Sequence, residues 1–320
     1  MTDNGLTNDS RVPERRAVLF VNLRKKSAQS LSEEIRLNLE ARGIPVSVLS
    51  FEGVPRVPER GDWDIVFSLG GDGTVLYTAR TVSPWGLPIF PVNLGTLGFI
   101  ADVQRDVWPK VFDQWLDGKA KFSRRCMLEL FVLRRGEKVA RFNCLNDVVI
   151  AASGIAKLIS LNVLSRLSDG GYVELGPYRC DGLLIATATG STAYSMAAGG
   201  PILDAEMEAM ILNPICPFTL SNRPLVLSSQ QTLEITVVKE QRSGVLLTVD
   251  GQDIFNLEPG DKIVIQEAPY KAVLISSGHD AYYTALRTKL NWPAPASPSG
   301  VPYDAGGDFF QAGYGGGRDA

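Results

Sequence analysis

The sequence predicts an α/β N-terminal domain on a parallel sheet, followed by an antiparallel, β-rich second domain. Two patterns carry this expectation. Strand and helix signals alternate through residues 17–122, whereas residues 123–270 hold short apolar runs separated by turn signals. With 320 residues, 45% hydrophobic and 21% charged, the chain is long enough to bury two apolar cores.

Residues 17–23 (AVLFVNL) form an apolar run suited to a strand covered on both faces. Ser30 stands three residues before Glu33, a capping-box spacing ahead of a helical pattern in Ile35, Leu37, Leu39 and Ala41. Gly43 stops that helix. Residues 46–49 and 63–69 read as the next strands, 75–81 as a helix, 88–92 as a strand and 107–116 as a helix. In the second region, strands are expected at 128–134, 144–151, 158–164, 182–188, 233–238, 245–249 and 262–266. Asp169-Gly170-Gly171, Asp250-Gly251 and Pro259-Gly260-Asp261 supply turns. A helix is expected from Ser191 past Met196. Residues 271–276 again read as a buried strand and 281–290 as a helix; spacing alone leaves open whether they rejoin the first domain. Residues 1–16 and the Pro/Gly-rich residues 293–320 read as flexible ends.

The net charge of −3 gives no positive field for a nucleic-acid backbone or an anionic membrane, so neither partner is expected. No apolar run reaches the ~18 residues of a membrane span, and the first dozen residues are polar. His279 is the single histidine, which excludes a two-histidine metal site, and no residue is assigned as a metal ligand. The four cysteines form no C-x-x-C pair, which suggests reduced, mostly buried thiols and a cytoplasmic protein.

The sharpest motif is Gly70-Gly71-Asp72-Gly73-Thr74, between an apolar strand and a helix. Bare N–H groups beside a helix N-terminus favour phosphate. A carboxylate repels phosphate, so Asp72 makes sense as an acceptor for an attacking hydroxyl's proton or as a partner of Mg2+. The plainer reading is a tight turn with Asp72 as the helix cap. Asn93-Leu94-Gly95-Thr96-Leu97-Gly98-Phe99 places a second glycine turn at the same end of the sheet. From Asp181 a buried strand runs into Thr189-Gly190-Ser191-Thr192-Ala193-Tyr194-Ser195, whose hydroxyls suit sugars and phosphates. Asn146-Asp147 offers an amide and a carboxylate for ribose, Arg179 stands two residues before Asp181, and Asp250-Gly251-Gln252 reads as a hairpin turn.

These motifs, in this order, resemble the NAD kinases over about residues 17–292. GGDGT alone is shared with diacylglycerol-type and sphingosine-type lipid kinases. The T-G-S-T-A-Y stretch and residues 219–227 (TLSNRPLVL) are more specific. The resemblance implies transfer of the ATP γ-phosphoryl group to the 2′-hydroxyl of the adenosine ribose of NAD+, with Mg2+ or another divalent ion. It implies Asp72 as general base and Gly70, Gly71, Gly73 and Thr74 as phosphate holders. Asn146, Asp147, Lys157, Arg179, Asp181, Thr189, Thr192, Ala193, Tyr194, Ser195 and Gln252 would line the NAD site. It further implies a homodimer or homotetramer whose subunits share sites, and a C-terminal segment, residues 271–292, that returns to the first domain. Asp147 stands where the family often has glutamate, and Phe218 replaces a histidine frequent in its loop. A lipid kinase and a non-catalytic NAD(P)-binding regulator are the alternatives.

Overall fold

The computed structural model describes residues 15–292 except 54–56, 96–97, 155–156, 168, 220 and 279. The N-terminal arm, the tail and His279 therefore lie outside the described residues, as do Thr96 and Leu97.

The first region runs β1 (Ala17–Asn22), α1 (Ala28–Glu40), β2 (Val46–Phe51), β3 (Ile65–Gly70), α2 (Asp72–Val82), β4 (Ile89–Asn93), β5 (Val103–Gln104), α3 (Trp108–Leu116) and β6 (Lys121–Arg125). Strand β1 is buried on both faces, as a central parallel strand must be. Ala17, Leu19 and Val21 pack with α1 and α3, while Val18 and Phe20 meet Val75, Ala79 and Val82 of α2. The predicted capping box does not form. Helix α1 starts three residues earlier, with Ser27 at its N-cap, and the Ser30 hydroxyl donates back to the Ser27 carbonyl at 3.1 Å. Its buried stripe is Leu31, Ile35 and Leu39; Leu37, expected in that pattern, is 53% exposed, because two residues from Ile35 and from Leu39 it falls on the opposite side of the helix.

The second region holds β7 (Leu128–Arg134), β8 (Glu137–Cys144), β9 (Asp147–Ala152), β10 (Ile159–Arg166), β11 (Tyr172–Cys180), β12 (Gly182–Thr187) and the one-turn α4 (Tyr194–Ala197). It continues through β13 (Ala209–Ile215), β14 (Leu225–Ser228), β15 (Thr232–Val237), β16 (Val245–Val249), β17 (Asp253–Leu257) and β18 (Lys262–Glu267). These strands make two antiparallel six-stranded sheets, ordered β11-β10-β15-β18-β7-β8 and β14-β13-β12-β9-β16-β17. Alternate residues from both, among them Leu130, Val132, Leu161 and Ile235 facing Val148, Ile150, Ile185 and Leu247, fill one core. The expected strand 144–151 is in fact two strands, because the chain crosses between the sheets at Leu145-Asn146. The expected helix from Ser191 is a 3-10 turn over Thr189–Thr192 followed by α4.

The last segment settles what spacing left open. Strand β19 (Ala272–Ser276) lies parallel to β4 and antiparallel to β6, completing the first sheet in the order β2-β1-β3-β4-β19-β6, and α5 (Asp280–Lys289) follows it. Among the described residues no helix is long and apolar enough to cross a membrane.

Candidate active site

Strand β3 delivers the GGDGT turn to the carboxyl end of the parallel sheet, with Gly70 beside Asn93 of β4. A side chain at Gly70 would place its Cβ 2.1 Å from Thr74 Oγ1, so this position needs glycine. Asp72 opens α2, yet its carboxylate caps nothing in its own helix, which corrects the plainer sequence reading. It reaches instead to the second glycine turn. Oδ2 accepts from the Phe99 amide at 3.0 Å, and Oδ1 from those of Ile100 and Ala101 at 3.3 and 3.0 Å. Of a carboxylate's roughly four acceptor positions, three are thus taken and one remains. Gly98 permits this approach, since a Cβ there would lie 2.0 Å from Asp72 Oδ1.

The tip of the β16–β17 hairpin ties this turn to the second region. Asp250 (φ 49°) and Gly251 (φ 64°) make the tight turn that Asp-Gly predicts, closed by the Gln252 amide on the Val249 carbonyl at 2.9 Å. The Asp250 carboxylate accepts from the amides of Leu145, Asn146 and Asp147 at 3.0, 2.8 and 3.1 Å. Gln252 Nε2 donates to the Gly73 carbonyl at 2.9 Å, and its Oε1 accepts from Arg80 at 3.3 Å. Arg80 also pairs with Asp253. Sequence reasoning read Asp250 as turn chemistry alone. Nothing in its neighbours signals the three amides, which come from about a hundred residues away.

Asn146 and Asp147 are 9% and 6% exposed. Asn146 Oδ1 is buried without a partner, and the Asp147 carboxylate has neither hydrogen-bond donor nor cation among the described residues. Burial, with the Asp250 charge adding to it, pushes the Asp147 carboxyl up to about 7. Behind them, the Thr187 amide donates to the Asn146 carbonyl at 2.8 Å, and Thr187 Oγ1 donates to the Leu145 carbonyl at 2.5 Å. A Cβ at Gly190 would sit 2.1 Å from that Asn146 carbonyl. Gly190→Ala is accordingly expected to destabilise the fold by about 1–3 kcal/mol, measured by denaturant titration; an unchanged midpoint would mean the backbone yields freely.

The hydroxyls of the Thr189–Ser195 segment are mostly occupied. Thr189 and Thr192 donate to the carbonyls of Ala205 and Thr189, and buried Ser195 receives Asn213 Nδ2 on its carbonyl at 3.1 Å. Ala193 is half-buried and Tyr194 is 48% exposed. A cavity of about 440 Å3 opens beside the GGDGT turn, with Asn22, Arg24, Gly73, Thr74 and Arg80 in its wall. Asn22 Nδ2 donates to Thr74 Oγ1 at 3.2 Å.

Three expected site residues lie elsewhere. Ile159 pairs with Cys180, which sets Lys157, Arg179 and Asp181 at one end of their strands. Gly182 opposes Ala151 and Ala186 opposes Asp147, so the length of β12 separates that end from Asn146-Asp147. At ~3.3 Å per residue this is roughly 17 Å. There the Arg179 guanidinium lies 5.0 Å over the ring of Phe218, which is 66% exposed.

The chain matches the ATP-NAD kinase N-terminal domain family over residues 15–120 and the ATP-NAD kinase C-terminal domain family over residues 145–277. An NAD kinase of Treponema denticola is 40% identical over 285 residues, 89% of this chain and 99% of the relative. One from Geobacter sulfurreducens is 35% identical over 288 residues, 87% of this chain and 99% of the relative. Among solved structures, yeast NADH kinase complexed with NADH is similar in fold, with a TM-score of 0.77 and 22% identity over 88% of this chain and 89% of that one. An NAD kinase from Archaeoglobus fulgidus in complex with ATP has a TM-score of 0.65 and 24% identity, over 85% and 97%. By family matches over most of its length, and by relatives that it covers almost completely, the chain belongs to the NAD kinase family.

Proposed function

We propose that the protein transfers the γ-phosphoryl group of ATP to the 2′-hydroxyl of the adenosine ribose of NAD+, giving NADP+ and ADP. The observation that carries this reading is the buried Asn146-Asp147 pair, which keeps polar atoms without protein partners and is bound through Asp250 and Gln252 to the GGDGT turn. Buried polar atoms need partners, and ribose hydroxyls supply them. In the proposed step, Asp72 takes the hydroxyl proton on its remaining acceptor position, the ribose oxygen bonds to the γ-phosphorus, and the bond to the β-phosphate oxygen breaks. Gly70, Gly71, Gly73 and Thr74 hold phosphate, and Arg24 and Arg80 beside the same cavity add positive charge for the donor.

Among the described residues no group of three or more His, Cys, Asp or Glu is placed to hold a metal. That fits Mg2+, which is commonly bound through substrate phosphates and one or two carboxylates, and which neutralises phosphate charge when bound. Thr189, Thr192, Ala193, Tyr194 and Ser195 shape the wall for NAD+. Lys157, Arg179 and Asp181, roughly 17 Å away, would serve the site of a second copy in a homodimer or homotetramer. We place the domain division at residues 17–122 with 271–292, and 123–270, and the protein in the cytoplasm. The lipid-kinase alternative loses its footing with the family assignment.

The direct test supplies NAD+, ATP and Mg2+ and follows NADP+ with an NADP-specific dehydrogenase; binding of NAD+ without product would mean a regulator. A second expectation concerns pH. Burial raises the Asp147 carboxyl to about 7 in the folded protein against 3.8 for a free aspartate side chain, so folding favours its protonated form. Its contribution to stability is full below the unfolded value and is lost as pH rises to about 7. Asp147→Asn should therefore gain stability over wild type progressively from pH 4 to pH 7 and hold that gain above it. Thermal melts across that range check this, and parallel curves would contradict it.

A further inference from the structure

Behind the turn that holds Asp72 lies a second cavity of about 130 Å3, several times the ~30 Å3 of one water in the liquid. Gly98, Phe99, Asp102, Lys121, Arg125 and Tyr282 are among its walls, and it shares no residue with the cavity beside Gly73. Arg125 is the anomaly here. It is 7% exposed, its Nε donates to Ser123 Oγ at 2.7 Å, and Nη1 is buried without a partner. Among the described residues it makes no ion pair; Glu206, Asp102 and Asp204 act on it only at a distance, and burial pulls its pKa down. A guanidinium taken out of water without a contacting counter-ion is strongly disfavoured.

Asp102 is the complementary case. Its Oδ2 accepts from Ser276 Oγ at 2.7 Å and the Ser277 amide at 3.2 Å, while Oδ1 is buried without a partner. Asp204 and Glu206 also stand in the wall, yet among the described residues no carboxylate touches Arg125, and Asp102 Oδ1 has no donor. Phe99 and Tyr282, 6.4 Å between ring centroids, supply apolar surface.

We propose that this cavity binds a small hydroxylated oxyanion, with a carboxylate or phosphate group on Arg125 and a hydroxyl donating to Asp102. Its place makes occupancy regulatory. Gly98 and Phe99 line the cavity, and the amides of Phe99, Ile100 and Ala101 fix the Asp72 carboxylate. A ligand seated against that turn changes how firmly Asp72 is held. Only this regulatory consequence rests on the proposed role of Asp72; the binding does not.

Isothermal titration of the full chain with L-malate and with glycerol 3-phosphate tests the site, since both pair a hydroxyl with an oxyanion. Saturable binding of at least one is expected, weakened about tenfold or more by Arg125→Met. That variant removes a buried group and can fail to fold, so Lys121→Glu at the exposed rim is the second arm, with about threefold or greater weakening at an unchanged melting temperature. No binding of either probe, or binding indifferent to the rim change, overturns the proposal. Probe binding in a protein that makes no NADP+ keeps this site and sinks the kinase reading; NADP+ formation without probe binding does the reverse.

Discussion

Asp72→Asn is expected to lower kcat for NADP+ formation by about 10²–10⁴ while KM for NAD+ stays near its wild-type value. The asparagine fills the same space and keeps an oxygen for two of the three amides that now bind the carboxylate. Its amide nitrogen faces the third donor, a loss of about 1–3 kcal/mol in stability. The fold should survive this and the pocket should still fill, so the deficit falls on the proton transfer. Steady-state rates with both substrates saturating measure it. Near-normal turnover would remove Asp72 from the role of base and leave it as a brace between the two glycine turns.

The second large effect comes from mixing two damaged chains. Asp72→Asn removes the group at the GGDGT turn, and Asp181→Ala removes one at the far end of β12, roughly 17 Å along the strand. If each site takes Asp72 from one copy and Asp181 from another, a hybrid dimer holds one doubly damaged site and one intact site. Each variant alone is expected to be nearly inactive. Co-refolded in equal amounts, half the dimers are hybrids with one of two sites intact, so about a quarter of wild-type activity returns. A mixture no more active than the mean of its parts would show that the two groups do not meet across an interface.

The parts of the fold legible in the sequence were those with a strong local signal. The continuous apolar run of β1 and the Gly-rich end of β3 read directly, as did the Asp-Gly turn at 250–251. The missed strands follow a physical pattern: β8, β11, β14 and β17 are the four outer strands of the two antiparallel sheets. An outer strand carries less apolar surface, and Glu137–Cys144 buries only its last residue. Within those two sheets the other missed strand, β13, sits inside, but Asn213 and Pro214 interrupt its pattern; in the first sheet, β5 has only two residues and β6 is largely exposed and polar, so neither gave a signal. At the candidate site, the sequence singled out Asp72 and Asn146-Asp147 but not what positions them. Asp250 holds three amides from across the sequence, and Gly98 makes room for a carboxylate 26 residues earlier. Such contacts exist only once the chain has folded. The hydroxyls of Thr189, Ser191 and Thr192 have a local role that composition does not reveal: each bonds main-chain groups of the same fold.

Strand β19 enters the first sheet between β4 and β6, although both of those neighbours are made far earlier. On a ribosome adding ~5–20 residues per second, roughly 150 residues separate β6 from the strand that joins it to β4, a delay of about 7–30 seconds. During that interval the sheet carrying the GGDGT turn lacks the strand that joins β4 to β6, and apolar surface is uncovered on both of its faces, where Leu274 and Ile275 will pack. The nascent chain must carry these edges while the whole sandwich is synthesised. A message truncated just before residue 272 would yield a product that is incomplete at its start as well as at its end. Kinase competence is then reached only after Ser276 has been synthesised, so the first sheet reports on whether translation has passed the whole second region.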